Sequence, residues 1–209
     1  MIGGGGHCLS VIDAALSAGH TIAGILDPAA TLGDKIGGVP VVGNDDDIEP
    51  LAASGRYSFI ITLGSITDPS RRRSLQQRVT DAGGLLATII ASTAYVSPMA
   101  TIGTGATVLH HATVNAEASI GSGCIINTGA IIEHRAFIGD FTHVSTNATV
   151  NGDCNIAHDT FIGSGAVVSS QVNIGEPAVI GAGAVVISDI TESGTYVGVP
   201  AGRTAQKTR

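Results

Sequence analysis

From Val96 to Val186 a β-branched aliphatic residue stands at every sixth position without an insertion. The column reads Val96, Ile102, Val108, Val114, Ile120, Ile126, Ile132, Ile138, Val144, Val150, Ile156, Ile162, Val168, Ile174, Ile180, Val186. Helices repeat every 3.6 residues and strands every two, so neither alone puts these side chains on one face. Two positions before each of them the residue is small: alanine throughout, except for Cys124, Thr142, Cys154, Thr160 and Val172. An uninterrupted hexapeptide of this kind marks a solenoid.

A triangular prism satisfies the pattern, with one short strand and one corner per hexapeptide. Three hexapeptides, about 18 residues, close a coil. The repeat then gives about five coils stacked in parallel roughly 4.8 Å apart. The aliphatic column fills the interior, and the small residue before it lets the chain turn inward without overpacking. Such units bury their apolar face only by stacking, and usually by packing whole prisms together.

Residues 1–91 lack the repeat and alternate between strand and helix patterns. A helix is expected over 11–18 and another over 71–82, with strands over 21–26, 59–63 and 85–90. This is the βαβ grammar of a small Rossmann-like parallel sheet. Two domains follow, 1–91 and 92–209, the second ending in a short tail.

Gly3-Gly4-Gly5-Gly6-His7 opens directly into the first helix. This is the layout of a turn whose backbone N–H groups face a phosphate. Asp27 follows the next strand where such folds bond a ribose or base, and Gly64 ends the strand after that. All three converge on the sheet edge where open α/β sheets bind nucleotides. Only Met1 and Ile2 precede the glycines, too few for a full first strand. The expectation is a natural start upstream of Met1, the alternative a sheet lacking most of a central strand; an intact mass matching Met1 would exclude the first.

Composition narrows the partners. With 17 acidic and 10 basic residues and a formal charge of −7, nucleic acid is not expected. Arg71-Arg72-Arg73 reads as a solvated helix face. Cys8, Cys124 and Cys154 have no CxxC spacing, so neither disulfides nor zinc are expected. No apolar run is long enough to span a membrane and no leader is evident. A cytoplasmic protein is expected, without membrane insertion.

Read in columns of 18, His134 points outward from a corner between Ala116 and Gly152, an open slot above and below the imidazole. Arg135 lies between Glu117 and Asp153. His143 lies between Ile125 and Phe161, an apolar column suited to a thin extended ligand. His134 and His143 are half a coil apart and meet only across an interface between two prisms. A lone outward histidine is commonly just a surface residue. No two prism histidines are five apart, the spacing of prism carbonic anhydrases, so no metal is expected.

The whole chain resembles bacterial sugar acetyltransferases of the NeuD/PglD type. The resemblance rests on the glycine loop with His7, on Ile125-Ile126-Asn127-Thr128-Gly129-Ala130-Ile131-Ile132-Glu133-His134, on Ile138-Gly139-Asp140-Phe141-Thr142-His143-Val144-Ser145, and on Val197-Gly198-Val199-Pro200-Ala201. It implies a nucleotide-binding α/β domain joined to a left-handed β-helix, working as a homotrimer with active sites between subunits. It further implies acetyl-CoA as co-substrate and His134 as general base, with the Gly152 N–H a candidate oxyanion donor. His143 would contact the CoA arm from the neighbouring subunit, with Ser164 and Ala182 lining its groove. Gly5, Gly6, His7, Asp27 and Gly64 would hold the acceptor's nucleotide.

N-acetylating members carry an acid directly after the base, where this chain has Arg135. The run from Ser145 to Asp153 is closer to the sialic acid O-acetyltransferase branch. The acceptor is therefore left as a sialic acid or nonulosonate, or a nucleotide-linked sugar such as a UDP-4-amino sugar, in surface glycan biosynthesis. A catalytically silent trimeric scaffold that binds the same ligands is the alternative from another class.

Overall fold

A computed structural model describes residues 1–204; residues 205–209 of the expected tail lie outside the described residues. The repeat folds as a left-handed parallel β-helix with one parallel sheet on each face of a triangular prism. One face runs from Tyr95–Val96 to Val185–Val186 and a second from Thr101–Ile102 to Asn173–Ile174. The third begins at Ile89–Ile90 and extends in parallel to Gly194–Val197, on which Gly202–Arg203 closes as an antiparallel edge. Register never slips through the repeat: Val114 pairs with Val96 and Ile132, and Ile126 with Val108 and Val144.

The interior is the aliphatic column. From Val108 to Ile180 its members are at most 2% exposed, and Cys124, Cys154 and the alanines close the core between them. Burying one such Val or Ile contributes about 1.5–3 kcal/mol, which is what holds rungs of only two residues in place. Burial also pushes the Cys124 thiol up to about 12, so it behaves as a core residue.

Corners are equally regular. From Ile102 to Val168 the residue three places after each core position adopts a left-handed backbone, and eight non-glycine residues do so, among them Arg135 at φ 56° and Asp153 at φ 59°. The conformation is held by bonding to the coil below: Arg135 N–H donates to Ala116 O at 3.0 Å, and Asp153 N–H to His134 O at 3.0 Å.

The first part of the chain forms the expected small α/β unit. Helix α1 (Gly6–Ser17) leaves the glycine loop at once, starting earlier than the apolar pattern alone indicates. Strand Ile25–Leu26 pairs in parallel with Val39–Gly43, which carries Lys35–Ile36 as an antiparallel edge. Ile2 bridges Leu26 on one side and Ile61 on the other, joining this sheet to the parallel pair Ser58–Phe59 and Leu85–Leu86. Beyond Met1 the two flanking segments are separated by a groove of about 580 Å³ lined by Thr21, Ala23, Gly24, Tyr57 and Ser58. The Met1 amine donates to Gly24 O at 3.0 Å, and burial pushes it down to about 6.

Helices α2 (Ile48–Ala53) and α3 (Ser70–Asp81) complete the unit. The single strand expected over 85–90 is two. Leu85–Leu86 belongs to the α/β sheet, while Ile89–Ile90 pairs with Thr107–Val108 as the first rung of the prism. The chain thus passes from one sheet to the other within three residues, which fixes the α/β unit against the prism's third face.

The arginine triplet fastens that contact and is not a solvated face. Arg72 is 3% exposed and donates to Gly123 O, to Phe141 O at 3.4 Å and to Ser65 Oγ at 3.4 Å. Arg73 lies over the Phe141 ring, 4.3 Å from its centroid, and pairs with Asp159 at 2.5 Å. A guanidinium has five donors; two corner carbonyls of the prism take bonds from the Arg72 Nη atoms, while its Nε is buried without a partner. Arg71 and Arg73 both keep exposed side chains, and Arg71 pairs with Asp45 of the α/β unit at 3.4 Å.

Candidate active site

His134 sits two residues past Ile132, at the corner between the first and second faces. Its vertical neighbour is Gly152, as the pairing of Ile132 with Val150 requires. The imidazole lies directly against that glycine: a Cβ added there would fall 2.4 Å from Cε1, 2.6 Å from Nε2 and 3.0 Å from Nδ1. Only glycine lets the ring occupy this place. Gly152, in the coil above, is buried against the ring, yet the His134 side chain remains 55% exposed. The slot expected from the columns is present, and the ring fills its upper half without being enclosed.

The ladder beside it is partly formed. Asp153 receives a two-pronged contact from Arg135, Nε to Oδ1 at 2.7 Å and Nη2 to Oδ2 at 3.1 Å. The same Oδ2 lies 3.9 Å from His134 Nδ1. Glu117 is within electrostatic range of Arg135, whose charge it helps to hold.

His143 lies on the third face, stacked between Ile125 and Phe161 as its register demands. The column was expected to be an open groove, and there it is not. Ile125 is 1% and His143 8% exposed, because the α/β unit covers this part of the face. Its ring is fully specified by its partners. The Ser65 carbonyl only accepts, so Nδ1–H donates to it at 3.0 Å, leaving Nε2 to accept from the Asn127 amide at 3.2 Å. Asn127 is oriented in turn by Thr128 N–H, which donates to its Oδ1 at 2.8 Å. Burial, with nearby Arg72 assisting, pushes His143 down to about 4, so the ring is neutral.

Ser164 and Ala182 stack one coil apart on the next corner, and both are exposed. The Ser164 hydroxyl meets that of Ser145 at 3.0 Å, two residues from His143. Of the three residues expected along CoA, Ser164 and Ala182 share one corner, and His143 stands on the adjoining third face, covered by the α/β unit.

In the α/β unit, a cavity of about 460 Å³ brings together Gly5, Asp27, Gly64, Ser65, Arg71 and Arg72. The four glycines divide by role. A Cβ at Gly3, which has φ 101°, would meet Leu63 at 2.4 Å, and one at Gly4 would meet Ile36 at 2.4 Å; nothing lies within 4 Å at Gly5 or Gly6. The first two are required by packing, and the second two leave backbone open to a ligand. Asp27 ties the loop down, accepting from Gly4 N–H and from Ala29 N–H at 2.7 Å.

His7 is not among the residues lining that cavity. It turns toward His143, with ring centroids 6.3 Å apart, and its Nε2 is buried without a partner. Desolvation, with His143 and Arg72 adding to it, pushes it down to about 4. Sequence columns gave no sign of Ser65, Asn127 or Arg72 at this junction, since the contact joins distant segments. Among the described residues no three His, Cys, Asp or Glu side chains converge as a metal site, and no helix is long and apolar enough to cross a membrane.

The PglD N-terminal domain family model matches residues 1–79. No curated protein matches by sequence. Among solved structures, perosamine N-acetyltransferase from Caulobacter crescentus, in a variant bound to CoA and GDP-perosamine, is 34% identical, with a TM-score of 0.92 over 98% of this chain and 95% of that one. The acetyltransferase domain of PglB from Neisseria gonorrhoeae, in complex with acetyl coenzyme A, is 31% identical, with a TM-score of 0.89 over 97% of each chain. WeeI from Acinetobacter baumannii shares the fold at 22% identity and a TM-score of 0.84, over 97% of each chain. With identity above 30% across nearly the full length of both chains, and with its amino-terminal unit matched by the family model, this chain belongs to the NeuD/PglD-type bacterial sugar acetyltransferases.

Proposed function

We propose that this protein transfers an acetyl group from acetyl-CoA to the amine of a nucleotide-linked amino sugar. The observation that carries the reading is the exposed His134 imidazole against Gly152, on a chain that also holds an open glycine loop and two arginines around a separate cavity. A base alone serves many acceptors. The cavity favours a nucleotide diphosphate handle, and the perosamine N-acetyltransferase relative is bound to a GDP-linked sugar. A free sialic acid would leave such a cavity unused, which favours the nucleotide-linked acceptor.

In this reading the acceptor amine attacks the thioester carbonyl while His134 Nε2 takes its proton. The C–N bond forms, the C–S bond breaks, and the proton passes on to the departing CoA thiolate or to water. An imidazole is suited to this because it exchanges protons near neutrality. The Gly152 N–H is the candidate donor to the developing oxyanion. CoA runs along Ser164 and Ala182, with the covered His143 forming the end wall. His134 and His143 lie on different faces, so a complete site takes them from two subunits of a homotrimer. The cytoplasm, where acetyl-CoA and nucleotide sugars are made, is the compartment this reading requires.

Thiol release from acetyl-CoA tests it, measured against GDP- and UDP-linked amino sugars and free sialic acid. Turnover is expected with a nucleotide-linked amine and abolished in His134→Ala, with the assembly intact by light scattering. Acetyl-CoA binding without thiol release across the panel would favour the silent scaffold, and full activity of His134→Ala would remove the base.

A further inference from the structure

We propose that Asp153, supplied by the next coil and not by the next residue in the chain, is the carboxylate that orients the His134 imidazole, with Arg135 acting as its clamp. The inference rests on the reading of His134 as the base.

Among the described residues His134 makes no hydrogen bond through its ring, and its acidic neighbour is Asp153, with Oδ2 3.9 Å from Nδ1. That carboxylate is held from two sides. Arg135 grips both oxygens at 2.7 and 3.1 Å, and the Asp153 N–H donates to the His134 carbonyl at 3.0 Å. The fork uses one lone pair on each oxygen, so Oδ2 retains acceptor capacity toward Nδ1–H. The remaining gap is about 1 Å beyond a hydrogen bond. A half-exposed ring covers it by a small rotation, and catalytic contacts commonly tighten when substrate binds.

The consequence is a defined tautomer. Nδ1–H faces Asp153, and Nε2 is left with its lone pair for the acceptor's proton. The charges facing the ring are Asp153 from the coil above, Arg135 beside it in the chain, and Glu117 from the coil below acting on Arg135. Ala116 and Gly152, directly below and above the ring, carry none. Two anions against one cation leave the surroundings net negative, so a positive residue directly after the base is compatible with an imidazolium forming at each turnover. The prism makes the substitution natural: coiling brings a carboxylate 19 positions on to 3.9 Å from the ring.

Asp153→Asn and Asp153→Gly both suit the left-handed backbone at this position. In each, kcat is expected to fall about 10- to 100-fold, as when an outer partner of a functional histidine is removed. The KM for acetyl-CoA should change little, and the acidic limb of the kcat/KM profile should move to lower pH. Arg135→Gln, which unclamps the carboxylate but leaves its charge beside the ring, should lower kcat less than the Asp153 variants do and move that limb to higher pH. In unliganded protein labelled with ¹⁵N-histidine, the His134 signals should report the Nδ1–H tautomer in the parent and a mixture in Asp153→Asn. If His134→Ala is inactive while both Asp153 variants keep the parent kcat, pH profile and tautomer, the proposal falls and the base reading stands. Loss of activity and melting temperature together, with an unmoved pH profile and tautomer, would make Asp153 merely structural and also overturn it. Activity in His134→Ala would instead remove the reading beneath.

Discussion

His134 rests on Gly152 of the coil above, and the missing Cβ is what makes the contact: placed there, it would lie 2.4 Å from the imidazole. Because Gly152 has no left-handed φ, alanine is compatible with its backbone, and the whole effect of substitution should fall on the ring. Gly152→Ala is expected to lower kcat about 100-fold, since a displacement of about 1 Å in a catalytic group is sufficient for that. Its melting temperature should stay within a few degrees of the parent. Unchanged turnover would mean that the position of the ring against Gly152 is irrelevant to the chemistry.

The buried neutral His143 predicts an acid-sensitive junction between the α/β unit and the prism. Its folded value lies near 4, below the unfolded value of about 6.5, so between those limits the unfolded chain binds a proton that the folded one refuses. Stability is therefore full above about pH 6.5 and declines as pH falls toward 4, with a slope of up to about 1.4 kcal/mol per pH unit for one such group. His7 is depressed partly by His143 itself, so the two do not simply add. Urea midpoints measured across that window should fall with pH, and His143→Asn should flatten the curve. Parallel curves for the two proteins would show that His143 is not the group responsible.

Sequence periodicity made the prism legible because its side chains answer to a local rule, one core residue per six, that no distant contact overrides. The same columns placed Gly152 and Asp153 beside His134 and Arg135, since neighbours 18 residues apart are fixed by the coil alone. The α/β unit was less legible. Gly37-Gly38, with φ of 56° and 82° between Ile36 and Val39, is a two-residue hairpin that its glycines advertise and that went unassigned. Arg72 is opaque to sequence reading for another reason. Three consecutive arginines on a helix point in three directions, and which of them is buried depends on carbonyls at Gly123 and Phe141, more than 50 residues away. The expected groove at His143 failed likewise, because the cover comes from Ser65 and the helix after it, outside the repeat.

Ser164 and Ala182 offer a prediction that separates cofactor binding from the rest of the site. They are exposed, one coil apart, on a corner distinct from that of His134, and neither belongs to the prism core. A long side chain at Ala182 should project from the corner without disturbing the aliphatic column, because the core residue is Ile180 and the sheet pairing involves Val179 and Ile180. If CoA lies along this edge, Ala182→Gln obstructs it before the thioester reaches the base. The expected result is a KM for acetyl-CoA raised about 10-fold, equivalent to roughly 1.4 kcal/mol of lost binding, with the acceptor's KM and the melting temperature unchanged. Steady-state kinetics with each substrate varied in turn would read the difference. An effect confined to the acceptor would move CoA to another edge of the prism.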